Sequence, residues 1–169
     1  MDSISDTLNW YAIYTRPRFE KKVDAQLHEK GFEAYLPLHK VIRQWSDRRK
    51  KIEEPLFRGY VFVHVVPRDR VRSLQVIGAV RMISFGGKPS IIPDYQIEGI
   101  RRILSEGLHV ETVDYVQKGD LVEVVQGPLM GMQGVLLEKR KNTRFVISID
   151  SIRQSISVEI DVRDVKKIG

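Results

Sequence analysis

The sequence predicts an α+β chain in two parts: a mostly antiparallel sheet with flanking helices, then a small all-β, five-stranded barrel. Three observations predict it. Strand-like and helix-like periods interleave as far as Gly107, whereas only strand-like alternation follows Gly119. Five short alternating runs crowd between residues 121 and 168, and so small a sheet needs closure because its open edges are unstable. Charge divides in the same place. Residues 107–169 carry nine Lys+Arg against nine Asp+Glu, so the whole excess of +6 lies in residues 1–106, with nineteen against thirteen. The expected organisation is therefore an N-terminal domain over 1–107, a linker over 108–116 and the barrel over 117–169.

Residues 10–15 (Trp-Tyr-Ala-Ile-Tyr-Thr) are aromatic and β-branched and read as a buried strand. Pro17 suits the first position of a helix. Phe19, Val23 and Leu27 then recur four apart as its apolar stripe, and Gly31 ends it. Residues 32–37 and 39–45 read as strand, residues 52–55 return, and Ser46-Asp47 turns the chain between them. This is a long hairpin with a basic tip, Arg48 to Lys51. A central strand follows through Val66. Pro67 opens a short helix with Val71 and Leu74 inward and Arg68, Arg70 and Arg72 outward. Residues 80–85 form another strand, and Gly86-Gly87 turns it. Asp94 caps a third helix with Ile97, Ile100, Ile103 and Leu104 on one face. Residues 108–116 show no period. Barrel strands read at 121–125, 134–138, 145–150, 155–160 and 165–168, and residues 135–141 are the part most tolerant of helix.

The first part is organised around Glu54-Pro55-Leu56-Phe57-Arg58-Gly59-Tyr60-Val61-Phe62-Val63. Tyr60 to Val63 compose a fully buried strand. Leu56 and Phe57 stand at its mouth, where apolar residues either pack beneath a neighbouring loop or stay exposed for a partner.

Composition narrows the function classes. At 42% hydrophobic and 30% charged residues the chain is globular. It lacks cysteine, so disulfides and Cys-based zinc are excluded, and no apolar run approaches the roughly 20 residues of a membrane span. Residues 1–9 are polar and acidic, unlike a signal peptide. A cytoplasmic protein with no membrane association is expected. His28, His39, His64 and His109 are scattered without metal-ligand spacing. Gly86-Gly87-Lys88 lacks the spacing of a phosphate loop, and no Ser-His-Asp arrangement can be argued. Glu53-Glu54 reads as a charge partner for the basic tip. The expectation is no enzyme, no cofactor and no metal. A basic first module beside a neutral second one suggests that the first faces an anion, nucleic acid being the usual candidate.

In the second part, Val124-Val125-Gln126-Gly127-Pro128-Leu129-Met130-Gly131-Met132-Gln133-Gly134-Val135 resembles the KOW motif. Gly127 and Pro128 make its first bend, Gly131 allows a positive φ, and Gly134 lets the next strand cross closely. Together with Trp10-Tyr11 in the first strand and Gly59-Tyr60-Val61-Phe62-Val63 in the middle, the chain from Trp10 to Ile168 resembles the NusG family of transcription elongation factors, with an NGN domain followed by a KOW barrel. Glu54-Pro55-Leu56-Phe57 and Arg43-Gln44-Trp45-Ser46-Asp47-Arg48-Arg49-Lys50-Lys51 look like its specialised antitermination paralogues of the RfaH and UpxY type.

That resemblance implies binding to the clamp helices of RNA polymerase, with suppression of pausing. The matching positions are Tyr14, Leu56, Phe57 and Tyr60, with Trp10 behind them as ordinary core. Arg16 and Lys22 match residues that touch the non-template DNA strand, although Pro17 replaces a basic neighbour. The tip, Arg48, Arg49, Lys50 and Lys51, is a further nucleic-acid candidate. Arg70, Arg72 and Ser73 correspond to a contact with the opposite polymerase lobe, although the family's threonine-rich signature is missing there. The KOW barrel implies Rho or a ribosomal small-subunit protein as partner, with Leu129, Met130, Met132 and Ile152 as candidate contacts. A monomer is expected. The readings are a specialised antiterminator of selected operons, capsular or exopolysaccharide loci among the candidates, a housekeeping elongation factor, and a ribosome-associated RNA-binding protein. The neutral charge of residues 107–169 argues against the last.

Overall fold

In the computed structural model, which describes residues 6–116, 119–139 and 142–169, the chain forms two compact units, Met1–Asp94 and Tyr95–Gly169. The expected boundary lay at Gly107. The third helix instead falls in the second unit.

The first unit opens with strand β1 (Asn9–Thr15) and helix α1 (Glu20–Glu29), then β2 (Glu33–Tyr35), β3 (Leu38–Gln44), β4 (Arg49–Pro55) and β5 (Tyr60–Val65). A 3-10 turn (Pro67–Asp69) leads into the one-turn helix α2 (Arg70–Ser73), followed by β6 (Ala79–Met82) and the small hairpin β7 (Ser84–Phe85) and β8 (Lys88–Pro89). The central sheet has the order β2-β5-β1-β6, and its three pairings are all antiparallel. Because successive side chains alternate between faces, the register Tyr11↔Val63 and Ile13↔Val61 puts those four on one face. There they form one core with Val23 and Leu27 of α1. The other face carries Trp10↔His64, Ala12↔Phe62 and Tyr14↔Tyr60.

Three expectations fail locally in this unit. Pro17 does not open α1; it lies in a turn with Arg18 at φ 66°, and the helix begins at Glu20. Val71 is 72% exposed, since a one-turn helix offers the core little more than Leu74 and Ser73. The run at 80–85 breaks after Met82 into a second hairpin at the Gly86-Gly87 turn.

The second unit takes in α3 (Asp94–Ser105), β9 (Glu111–Val113), β10 (Asp120–Val124), β11 (Gln133–Lys139), β12 (Asn142–Ile149), β13 (Gln154–Glu159) and β14 (Val165–Lys167). Its sheet has the order β14-β10-β11-β12-β13-β9, all antiparallel. The five strands expected from sequence are β10 to β14. A sixth, β9, comes from the segment expected as linker. Three residues of irregular pattern become a strand because the edge of β13 supplies their hydrogen-bond partners. Strands β12 and β13 are buried on both faces. Phe145, Ile149, Ile156 and Val158 are apolar, while Ser155 and Ser157 are satisfied by Ser148 and Arg144. The helix-tolerant stretch at 135–141 is strand as far as Lys139; residues 140 and 141 lie outside the described residues.

Candidate functional site

The mouth of β5 is built by the organising stretch. Gly59 takes φ 85°, a conformation that favours glycine, and the Tyr14 ring lies 3.4 Å from where a Cβ would sit. The loop is clamped from both sides. The Gly59 amide donates to the Glu20 carboxylate at 3.0 Å, and the Thr15 amide donates to the Gly59 carbonyl at 2.8 Å. Glu20 is itself buried at the first turn of α1, where the helix dipole favours an anion.

This clamp turns Leu56 and Phe57 inward. Phe57 is 1% exposed and Leu56 3%, with the Leu56 amide bonded to the Pro37 carbonyl at 2.9 Å. The Phe57 ring meets Phe62 edge-on at 6.1 Å. Of the two options open to residues at a strand mouth, packing beneath the loop prevails for both, because a bare phenyl loses more in water than a phenol. Trp10 is core as well, stacked on His64 at 4.6 Å.

What remains at the surface is a tyrosine pair. Tyr14 and Tyr60 are direct cross-strand partners with ring centroids 5.7 Å apart; Tyr14 is exposed and Tyr60 half-buried. The Arg81 guanidinium lies 5.6 Å over the Tyr14 ring, reached through the neighbouring register pair Tyr14↔Arg81. Exposed Arg58 and Arg16 flank the pair in sequence. Lys22 is exposed on α1, its ammonium over the Phe19 ring at 5.2 Å. Sequence reasoning missed Arg81 and Glu20. A cross-strand cation leaves no local signal, and a first-turn glutamate is an ordinary helix residue.

The β3–β4 hairpin stands as its own two-stranded sheet, in register from Leu38↔Pro55 to Gln44↔Arg49. Its turn closes with the Trp45 amide donating to the Arg48 carbonyl at 2.8 Å. Residues 42–51, Arg48 to Lys51 among them, are all exposed. Within the ribbon, Arg43 near the turn end reaches back to grip Glu54 near the base in a two-pronged bond at 2.9 and 2.8 Å, with Arg58 at 3.7 Å from Glu54. That hydrogen bonding, helped by the charges of Arg43 and Arg58, holds the Glu54 carboxyl below its ordinary range. Lys21 of α1 ties the ribbon down through the Glu53 carbonyl at 2.9 Å.

Arg70, Arg72 and Ser73 do not form one surface. Ser73 is fully buried and closes its helix on the Arg70 carbonyl at 2.6 Å. Arg70 is half-buried and bonds the Pro67 carbonyl, and Arg72 covers the Phe32 ring at 4.7 Å.

In the second unit, Gly127 and Gly131 sit at φ 89° and 91°, and Pro128 accepts a bond from Arg102 at 2.9 Å. A Cβ on Gly134 would lie 2.7 Å from both the Phe145 ring and the Val146 carbonyl. Of the four apolar loop residues, only Met130 is exposed, at 58%. Leu129, Met132 and Ile152 turn inward to the small core. Among the described residues, no group of three or more His, Asp or Glu side chains is placed to hold a metal ion, and no helix is long and apolar enough to cross a membrane.

Comparison with known proteins adds sequence kinship to this geometry. Residues 8–101 match the family described as transcription termination factor nusG. The chain is 25% identical over 174 residues to the transcription termination/antitermination protein NusG of Pseudomonas aeruginosa, covering 94% of this chain and 98% of that one. It is 27% identical to the proteins of the same name from Staphylococcus carnosus and Escherichia coli K12, each covering 94% of this chain and 95% of the relative. Among solved structures, the one titled "Domain interaction in Thermotoga maritima NusG" is similar in fold, with a TM-score of 0.54 at 24% identity, covering 96% of this chain and 98% of the other.

Proposed function

The chain belongs to the NusG family of transcription termination factors, and from that premise we propose that it is an antitermination factor that docks on RNA polymerase through its N-terminal unit. The Tyr14–Tyr60 pair carries this reading. Two phenol rings held side by side at a strand end, fringed by Arg81, Arg58 and Arg16, suit an amphipathic helix whose polar edge is acidic. The clamp helices of polymerase are the expected surface. Leu56 and Phe57, buried at the same strand mouth, brace the loop that leads into Tyr60. Arg16 and Lys22 face the non-template strand, and the ribbon tip faces nucleic acid, where lysine and arginine give salt-dependent affinity. Met130 is the contact offered by the KOW loop to Rho or to a ribosomal small-subunit protein.

The Glu54–Phe57 and Arg43–Lys51 segments favour action at selected operons. The names and near-complete coverage of the relatives favour a second reading, a general elongation factor. The docking test is pull-down with core polymerase. Tyr14→Ala with Tyr60→Ala should weaken capture at least tenfold while the protein stays folded, and undiminished capture ends the docking reading. Transcript profiling of a deletion strain separates the two roles: one affected locus means a specialised factor, and most genes affected means a general one.

A further inference from the structure

The β3–β4 ribbon has more charge and less cover than any role as a spacer needs. A two-stranded hairpin is marginally stable by itself, yet this one runs seven residue pairs, roughly 20 Å at the usual rise. The ribbon, residues 38–55, holds six basic side chains against the carboxylates of Asp47, Glu53 and Glu54. Their placement follows from the register. Lys51 opposite Ile42 and Arg49 opposite Gln44 share one face with Lys40, while Lys50 opposite Arg43 lies on the other. Lys40, Arg49 and Lys51 therefore project from one face and Lys50 from the other, where Arg43 is held by Glu54.

A single strand lying along a protein groove meets phosphates on one side only, for which one basic face suffices. Basic residues on both faces suit a slot with phosphates on two walls. The major groove of B-DNA, about 12 Å wide, admits a two-stranded ribbon of this kind. At the leading end, Trp45 is 47% exposed beside the two-residue turn, with the Lys50 ammonium 4.9 Å over its ring. An indole held out at a turn by a cation is placed to meet base edges.

We propose that the β3–β4 ribbon is an intrinsic duplex-DNA-binding element, entering the major groove with Trp45 at its tip and acting without polymerase. The proposal deepens the nucleic-acid role given to the ribbon tip, while docking through Tyr14 and Tyr60 plays no part in it, so either can fail alone.

The chain has two tryptophans, and Trp10 is 2% exposed, so a ligand-dependent change in emission reports on Trp45. The full chain is titrated with a 20-base-pair duplex, followed by tryptophan emission and by anisotropy of labelled DNA. Four phosphate contacts predict affinity falling on the order of a hundredfold between 50 and 200 mM salt. Trp45→Phe should abolish the emission change and retain binding. Replacing Arg48, Arg49, Lys50 and Lys51 with Gln should cost at least tenfold at 50 mM salt with Trp10 emission unchanged, which shows the fold intact. No binding at 50 mM salt overturns the proposal. So does an emission change that survives in Trp45→Phe, full affinity in the four-Gln variant, or tighter binding of single-stranded DNA or duplex RNA than of duplex DNA at equal salt.

Discussion

Strand β5 and the β3–β4 ribbon are both regular antiparallel ladders, and they lie five residues apart in the chain, yet they live in opposite environments. Val61, Phe62 and Val63 have no exposed surface, while residues 42–51 are all exposed. Backbone hydrogen bonding is satisfied in both, so the ladder does not decide which is core. The difference is what covers the faces. Strand β5 has β1 and β2 on either side and α1 against one face. The ribbon has only its own partner strand, with Arg43–Glu54 paired inside it and Lys21 of α1 tying it down through the Glu53 carbonyl.

The contrast can be broken by substitution. Phe62→Ala should be the most damaging change, about 3–5 kcal/mol by chemical denaturation, because it empties a fully buried site. Gly134→Ala should follow at about 1–3 kcal/mol, since its Cβ would collide with the Phe145 ring and the Val146 backbone where two strands cross. Glu20→Gln should cost about 1–2 kcal/mol by weakening the acceptor for the Gly59 amide, with broadened Tyr14 and Tyr60 resonances as the local sign. Ile42→Ser on the ribbon should stay within about 0.5 kcal/mol of the parent, although Ile42 is as apolar as Val61. A cost like that of Phe62→Ala would mean the ribbon belongs to the core.

The smallest effect is electrostatic. Arg163 hydrogen-bonds the Asp161 carboxylate through its side chain and its amide, lowering that pKa to about 2. A depressed carboxyl contributes stability that is present above its ordinary value of 3.8 and is lost as pH falls through about 2. Carboxyl NMR should place the Asp161 midpoint near 2, and Arg163→Ala should return it toward 3.8.

Much of this was legible in the chain. The 3.6-residue stripe of Phe19, Val23 and Leu27, the β-branched run at Tyr60 and the alternation in β12 and β13 are local patterns, and each became its element. The candidate site was legible only by half. Tyr14 and Tyr60 have amphipathic rings that suit a surface, whereas the side taken by Leu56 and Phe57 depends on a clamp supplied by Glu20, 39 residues from Gly59. Strand β9 escaped notice because its hydrogen bonds come from β13 rather than from its own composition.

Periodicity, charge and backbone freedom are properties of neighbouring residues, and they dictate the α+β and all-β halves, the basic character of the first, and the glycine turns of the KOW loop. That Phe57 goes inside and Trp45 stays out, that Arg81 covers Tyr14, and that Ser73 is buried are outcomes of packing between distant segments. Burial and pairing depend on which distant surfaces meet, and the free energy of covering an apolar ring belongs to the pair of surfaces rather than to either stretch of chain.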